Sequence, residues 1–269
     1  MPQVTSSVLP GAEPLSRHGG PAGVLVLHGF TGNPQSLRPL AQAVADAGFA
    51  VELPLLPGHG TAVEDMIPTR FADWSEAAEA AYRALAERSA STAVVGLSMG
   101  GTLALWLAER HPEIRALVLV NPMADPPAQS FQDVLRGLLD SGVEVAPGVG
   151  SDIAREDMVE LAYPGSPVAA ALSLFEGVET VHGRLAEVRC PVLLFSSRED
   201  HVVPSESGDV VEAGVAGPVE RIWLERSFHV ATLDYDAPEI EARTLAFLRD
   251  ALGDQPERAS LSPAATEAS

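Results

Sequence analysis

The sequence predicts an α/β fold: a mostly parallel sheet with helices on both faces and a helical cap inserted after the middle of the chain. Three observations carry this expectation. Short β-branched runs alternate with segments of helical periodicity, the pentapeptide Gly96-Leu97-Ser98-Met99-Gly100 sits between one such run and one such helix, and the alternation lapses once, between about residues 121 and 191.

The runs at residues 24–27, 49–53, 93–95, 116–120, 192–196 and 219–224 look like strands, and most of them are apolar on both faces. A strand apolar on both faces belongs in a parallel sheet covered by helices. The helix signals fall between them. Asn33 as N-cap, Pro34 at the first helical position and Gly48 past the last turn delimit one helix, with Leu37, Leu40, Ala41 and Val44 as its apolar stripe. Trp74, Ala78, Ala81, Tyr82 and Leu85 line one face of a second. Asp236, with Glu239 three residues on, caps a third that ends near Gly253.

The lapse contains Pro126-Pro127, Pro147-Gly148 and Pro164-Gly165 among short apolar segments. A long insertion with its own secondary structure is more often a functional lid than a plain loop. The expected organisation is an N-terminal extension over residues 1–20, one domain over 21–253 with a cap at about 124–188, and a disordered tail over 254–269, where Ala, Ser, Glu and Pro dominate.

A chain of 269 residues, 46% hydrophobic, buries a sizeable core. Its formal charge of −20, with 17 basic residues scattered along it, excludes nucleic acid and anionic lipid surfaces as partners. No run approaches a membrane span, and the N-terminus lacks the charged-then-apolar pattern of an export signal. The lone cysteine, Cys190, forms no internal disulfide and reads as a small buried apolar residue, which points to a reducing cytoplasm. Metal-ligand and nucleotide-cradling motifs are missing, so no metal and no cofactor is expected.

Chemistry concentrates at Ser98. A serine at a sharp strand-to-helix turn is thrust out of the backbone, and the bend demands glycine two residues to either side. The plainer role for Gly100 and Gly101 is to let a helix pack closely on a strand. As a nucleophile, Ser98 needs an imidazole base held in one tautomer by a carboxylate. Asp200 follows the strand at 192–196 and His229 follows the next one, in the chain order serine, acid, histidine. Glu199 and His201 flank Asp200 and would exchange with it on a one-residue slip. His18, His111, His182 and His201 read as surface histidines, Asp234 and Asp236 as turn and capping residues, and His28 as a buried histidine holding its loop. An oxyanion requires pre-oriented donors; the amides of Phe30, after the first clear strand, and Met99, after the nucleophile, hold the two positions.

Taken in order, His28-Gly29-Phe30-Thr31-Gly32-Asn33, Pro57-Gly58-His59-Gly60, Asp73-Trp74, Gly96-Leu97-Ser98-Met99-Gly100-Gly101, Asp200 before Val203-Pro204, and His229-Val230-Ala231-Thr232-Leu233-Asp234 resemble the α/β-hydrolase superfamily. They look most like its small bacterial carboxylesterases and monoacylglycerol lipases. The resemblance implies serine hydrolysis of carboxylic esters, no cofactor, and a helical cap between the sixth and seventh strands of the fold. It also favours Asp200 over Glu199. Two departures stand out: Phe228 replaces the glycine common before the catalytic histidine, and the cap matches poorly.

The expected partner is therefore a small ester, monoacylglycerol among the candidates. Phe30, Met99, Phe228, Tyr163 and Phe175 are the candidate substrate contacts. Met158, Leu161, Ala162, Val168, Leu172 and Leu174 are further cap residues, some of which should face the cavity above Ser98. A thioesterase or carbon–carbon bond hydrolase would use the same triad; a ligand-binding receptor on this fold would leave it idle.

Overall fold

The structure is a computed structural model and describes residues 6–148 and 150–253; the tail expected over 254–269 lies outside them. The chain opens with β1 (Leu15–Arg17) and β2 (Ala22–Leu27), followed by a 3₁₀ turn at Pro34–Ser36, α1 (Arg38–Asp46), β3 (Ala50–Leu53), α2 (Val63–Met66) and α3 (Phe71–Ala86). Then come β4 (Ser91–Leu97), α4 (Met99–Ala108) and β5 (Ala116–Val120). The cap holds α5 (Gln129–Asp140), β6 (Val145–Pro147), β7 (Gly165–Pro167) and α6 (Val168–His182). β8 (Val192–Ser197), α7 (Glu206–Gly214), β9 (Val219–Leu224) and α8 (Ala237–Leu252) complete the domain.

The main sheet runs β1-β3-β2-β4-β5-β8-β9, all parallel except β1. Alternation explains its two cores. Leu25 and Leu27 of β2 and Val94 of β4 face the layer of α3, α4 and α6, where Trp74, Tyr82 and Leu85 are buried. Val24 and Val26, with Ala93 and Val95, face the opposite layer of α1 and α8. Both faces are covered, as an apolar-throughout strand requires.

Several boundaries differ from expectation. β1 joins the sheet antiparallel to β3, with Leu15 opposite Leu53, so the domain starts within the segment set apart as an extension. Three residues of which only Leu15 is buried carry no readable period. Asn33 caps the 3₁₀ turn, accepting the Gln35 N–H at 3.0 Å, and α1 starts only at Arg38. Asp236 stands at the N-cap of α8, but its carboxylate turns instead to the N–H and guanidinium of Arg226, at 2.9 and 3.0 Å. Counted along the main sheet, the cap falls between the fifth and sixth strands, β5 and β8, one strand earlier than the resemblance implies.

Candidate active site

β4, β8 and β9 deliver the three candidate groups at their carboxyl ends, where parallel α/β sheets place their ligands. Ser98 ends β4 with φ +56° and ψ −120°, in a backbone region that side-chain-bearing residues rarely occupy. Close packing forces the turn. A Cβ on Gly96 would stand 2.2 Å from the Gly100 carbonyl oxygen, and one on Gly100 only 1.9 Å from that of Leu27. The Ser98 N–H donates to the Val120 carbonyl at 3.0 Å, and its own carbonyl accepts from Gly101 at 2.8 Å, which opens α4.

His229 Nδ1 donates to Asp200 Oδ2 at 2.7 Å. The other carboxylate oxygen of Asp200 accepts the N–H groups of Val202 and Val203, both at 2.8 Å, so the acid is fixed before the histidine reaches it. This contact leaves Nε2 as the free end of the imidazole. Burial opposes charging of His229, but the hydrogen bond and charge of Asp200, with the charges of Glu160 and Asp152 adding, outweigh it and hold the imidazole above its ordinary 6.5. Glu199 is exposed, and His201 packs its ring edge-on against Phe228 at 4.6 Å.

Ser98 and His229 open onto one cavity of about 530 Å³, within the roughly 300–1,000 Å³ of small-molecule sites. One part of its wall is apolar: Phe131, Leu135, Ala171, Leu174 and Phe175. Three carboxylates, Asp125, Asp152 and Glu160, also line it, and its lining residues include no Lys or Arg. Burial pushes the Glu160 carboxyl up to about 7, partly countered by the charge of His229.

The loop expected to supply the oxyanion donor follows β2. Leu56 N–H donates to His28 Nε2 at 3.1 Å, so that nitrogen carries the lone pair and Nδ1 carries the proton. Nδ1 then donates to the Gly29 carbonyl at 3.0 Å. Burial lowers the His28 pKa to about 4 and keeps the ring neutral. Gly29 and Phe30 line the cavity, and a Cβ on Gly29 would lie 3.9 Å from Ser98 Oγ. The Phe30 ring packs on Trp74 at 5.6 Å. Met99 is wholly buried in the core, so its side chain is not among the cavity-lining groups; its amide lies in the first turn of α4, where helix N–H groups lack an intrahelical acceptor.

Two of the other expected contacts are corrected. Phe228 does not line the cavity: its N–H donates to Asp234 at 2.9 Å and its ring meets His201. Tyr163 is also absent from the wall. Its hydroxyl donates to the Gly58 carbonyl and accepts the Thr61 N–H, each at 2.9 Å, fastening the cap to the loop after β3. Of the cap residues, Leu174 and Phe175 face the cavity, Val168 and Leu172 pack into the core, Met158 packs against the opposite core, and Leu161 is exposed.

Sequence reasoning missed Asn121, Asp152 and Glu160, which belong to no motif. Asn121 takes φ +44° at the end of β5; its amide donates to the His229 carbonyl at 2.8 Å and its oxygen accepts the Ser197 N–H at 2.8 Å. A polar residue closing an apolar strand was the available signal. Among the described residues no cluster of His, Cys, Asp and Glu is arranged to hold a metal ion, and no helix is long and apolar enough to cross a membrane.

The family model described as serine aminopeptidase, S33, matches residues 21–236. The thermostable monoacylglycerol lipase of Bacillus sp. (strain H-257) is 45% identical over 243 residues, covering 89% of this chain and 95% of that one. The carboxylesterase of Bacillus subtilis (strain 168) is 28% identical over 241 residues, covering 88% and 96%. A solved structure from work on LipS and LipT, two metagenome-derived lipolytic enzymes, is 43% identical and superposes with a TM-score of 0.87 over 91% of this chain and 100% of that one. The chain therefore belongs to the serine aminopeptidase S33 family of α/β-hydrolases and is a carboxylic ester hydrolase.

Proposed function

We propose that the chain hydrolyses monoacylglycerols and similar small esters through an acyl-enzyme on Ser98. His229 takes the Ser98 proton through Nε2, Oγ attacks the acyl carbon, and the amides of Phe30 and Met99 receive the oxyanion. The imidazolium, held by Asp200, protonates the departing alcohol. A water activated by the same imidazole then releases the acid and restores Ser98.

The observation that carries this reading is the fixed Asp200–His229 pair facing the cavity that Ser98 enters. The wall of Leu135, Leu174 and Phe175 suits an aliphatic acyl chain. Glu160 offers the polar glycerol end an acceptor that burial keeps close to half-protonated near neutral pH. The enclosing cap favours one-chain substrates over triglycerides, and the 45% identical relative is named a monoacylglycerol lipase.

The test is fluorophosphonate labelling with turnover of monooleoylglycerol and trioleoylglycerol. Ser98→Ala and His229→Ala should abolish monoester turnover, and Ser98→Ala should abolish labelling. Labelling of Ser98→Ala at the wild-type rate refutes the nucleophile; equal turnover of the triglyceride refutes the substrate class.

A further inference from the structure

The cap segment carrying Asp152 is bonded directly to the loops of the candidate acid and base. Asp152 Oδ2 accepts the backbone N–H of His229 at 3.0 Å and that of His201 at 3.2 Å. Oδ1 accepts from His201 Nδ1 at 2.8 Å, and the Asp152 carbonyl accepts the Val230 N–H at 3.0 Å. One residue thus ties the position after Asp200 to His229 and the position after it. Two residues further along, Ala154 and Arg155 donate to the buried Asp234 at 2.7 and 3.2 Å, which seats the same segment on the histidine loop a second time.

Neither the His201 nor the His229 loop is regular structure; from the sheet side Asn121 and Ser197 brace the base of the His229 loop, and Asp152 joins the two loops from the cap side. We infer that Asp152 is a positioning residue that sets the distance between the Asp200 and His229 loops from the cap, and so holds the imidazole on line between its acid and Ser98. This inference rests on the triad reading above. Its side chain is only 11% exposed, so its two charge-assisted N–H contacts are shielded from competing water. The charged and titratable groups facing His229 are Asp200, Glu160 and Asp152, with His201 beyond Asp152.

Two variants separate the clamp from the charge. Asp152→Ala removes both, and a misplacement of roughly 1 Å lowers turnover by up to about a hundredfold; we expect kcat to fall at least about tenfold with KM nearly unchanged. In Asp152→Asn the amide oxygen still accepts both backbone N–H groups while its NH₂ faces His201, so kcat should stay near wild type. Loss of the negative charge should nonetheless move the acidic limb of kcat/KM to lower pH, a change that a merely structural role would not produce. Wild-type kcat in Asp152→Ala, or a raised KM with unchanged kcat, overturns the inference. Should Asp152→Ala fail to fold, Asp152→Asn decides: a lowered limb supports the assignment and an unmoved one overturns it. Ser98→Ala and His229→Ala run alongside. If they remain active, the triad reading has failed; if they are dead while Asp152→Ala behaves as wild type, only this inference has.

Discussion

His28 offers a quantitative test of how the oxyanion side is held. The Gly29–Phe30 peptide is planar and trans, so its carbonyl and its N–H point to opposite sides. Because His28 Nδ1 grips that carbonyl at 3.0 Å, it also aims the Phe30 N–H. Loss of an entire oxyanion donor raises the barrier by about 2.7–4 kcal/mol. Freeing the plane while leaving the donor present should raise it by about half as much, ~1.4–2 kcal/mol, or about ten- to thirtyfold in kcat. His28→Gln can still accept the Leu56 N–H but withdraws the donor from Gly29, and should show this loss. His28→Asn can keep the donor to Gly29 but leaves the buried Leu56 N–H unpaired. That variant should retain kcat within a few-fold and lose about 1–3 kcal/mol of stability. The assay pairs steady-state p-nitrophenyl ester kinetics with inhibition by a trifluoromethyl ketone, whose hemiketal mimics the tetrahedral intermediate. In His28→Gln the inhibitor should weaken by the same factor as kcat while KM holds. Inhibitor affinity unchanged in His28→Gln, or kcat lost in His28→Asn instead, would refute the reasoning.

The pH profile should carry a second signature. Only neutral His229 accepts a proton, and its pKa is held above 6.5, so kcat/KM should fall with acid from a midpoint above 6.5, and Asp200→Asn should move that midpoint down; a wild-type midpoint below 6.5 would contradict the Asp200 contact. Tyr163→Phe leaves the Gly58 carbonyl and Thr61 N–H without their partner, so calorimetry should show a loss of about 1–3 kcal/mol with kcat/KM on p-nitrophenyl acetate unchanged. A drop in that activity would return Tyr163 to the substrate site. Each further acyl methylene buried in the wild type should add about 0.8 kcal/mol until the cavity is full. Leu174→Trp fills the apolar wall, so in a series from acetate to palmitate the long esters should lose kcat/KM and acetate should not; a parallel loss at every length would place Leu174 away from the acyl path.

Much of the fold was legible because its signals are local. The elbow is readable since glycine at 96 and 100 is forced by carbonyls within 2.2 Å of a would-be side chain. The covered strands are readable because alternate residues such as Leu25 and Val26 both stay apolar for opposite cores. Asp200 and His229 follow strand ends, and the structure brings them to 2.7 Å of each other. What escaped is decided by partners far along the chain. Tyr163 and Phe228 are aromatic residues in the right segments, yet whether each faces a cavity or a neighbouring loop depends on Gly58 and His201. Asp236 has a capping residue's identity and position, but Arg226 competes for its carboxylate and wins. Asp152 and Glu160 lie in a cap whose course no periodicity announces, so nothing in their sequence neighbourhood points toward His229.

The acidic lining of the cavity bears on the step after cleavage. Asp125, Asp152 and Glu160 present no net attraction to a neutral ester, and no Lys or Arg on the wall waits for an anion. Hydrolysis makes an anion in that same space: once the released acid has given its proton to solvent and His229 is neutral again, the product carries a charge of the same sign as those three carboxylates. Repulsion between like charges in a partly desolvated cavity is stronger than in water, so the product is destabilised where it is formed, and the chain's overall charge of −20 continues the same push outside. A site lined this way should release its acid product readily, and weak inhibition by added fatty acid is the outcome expected of it.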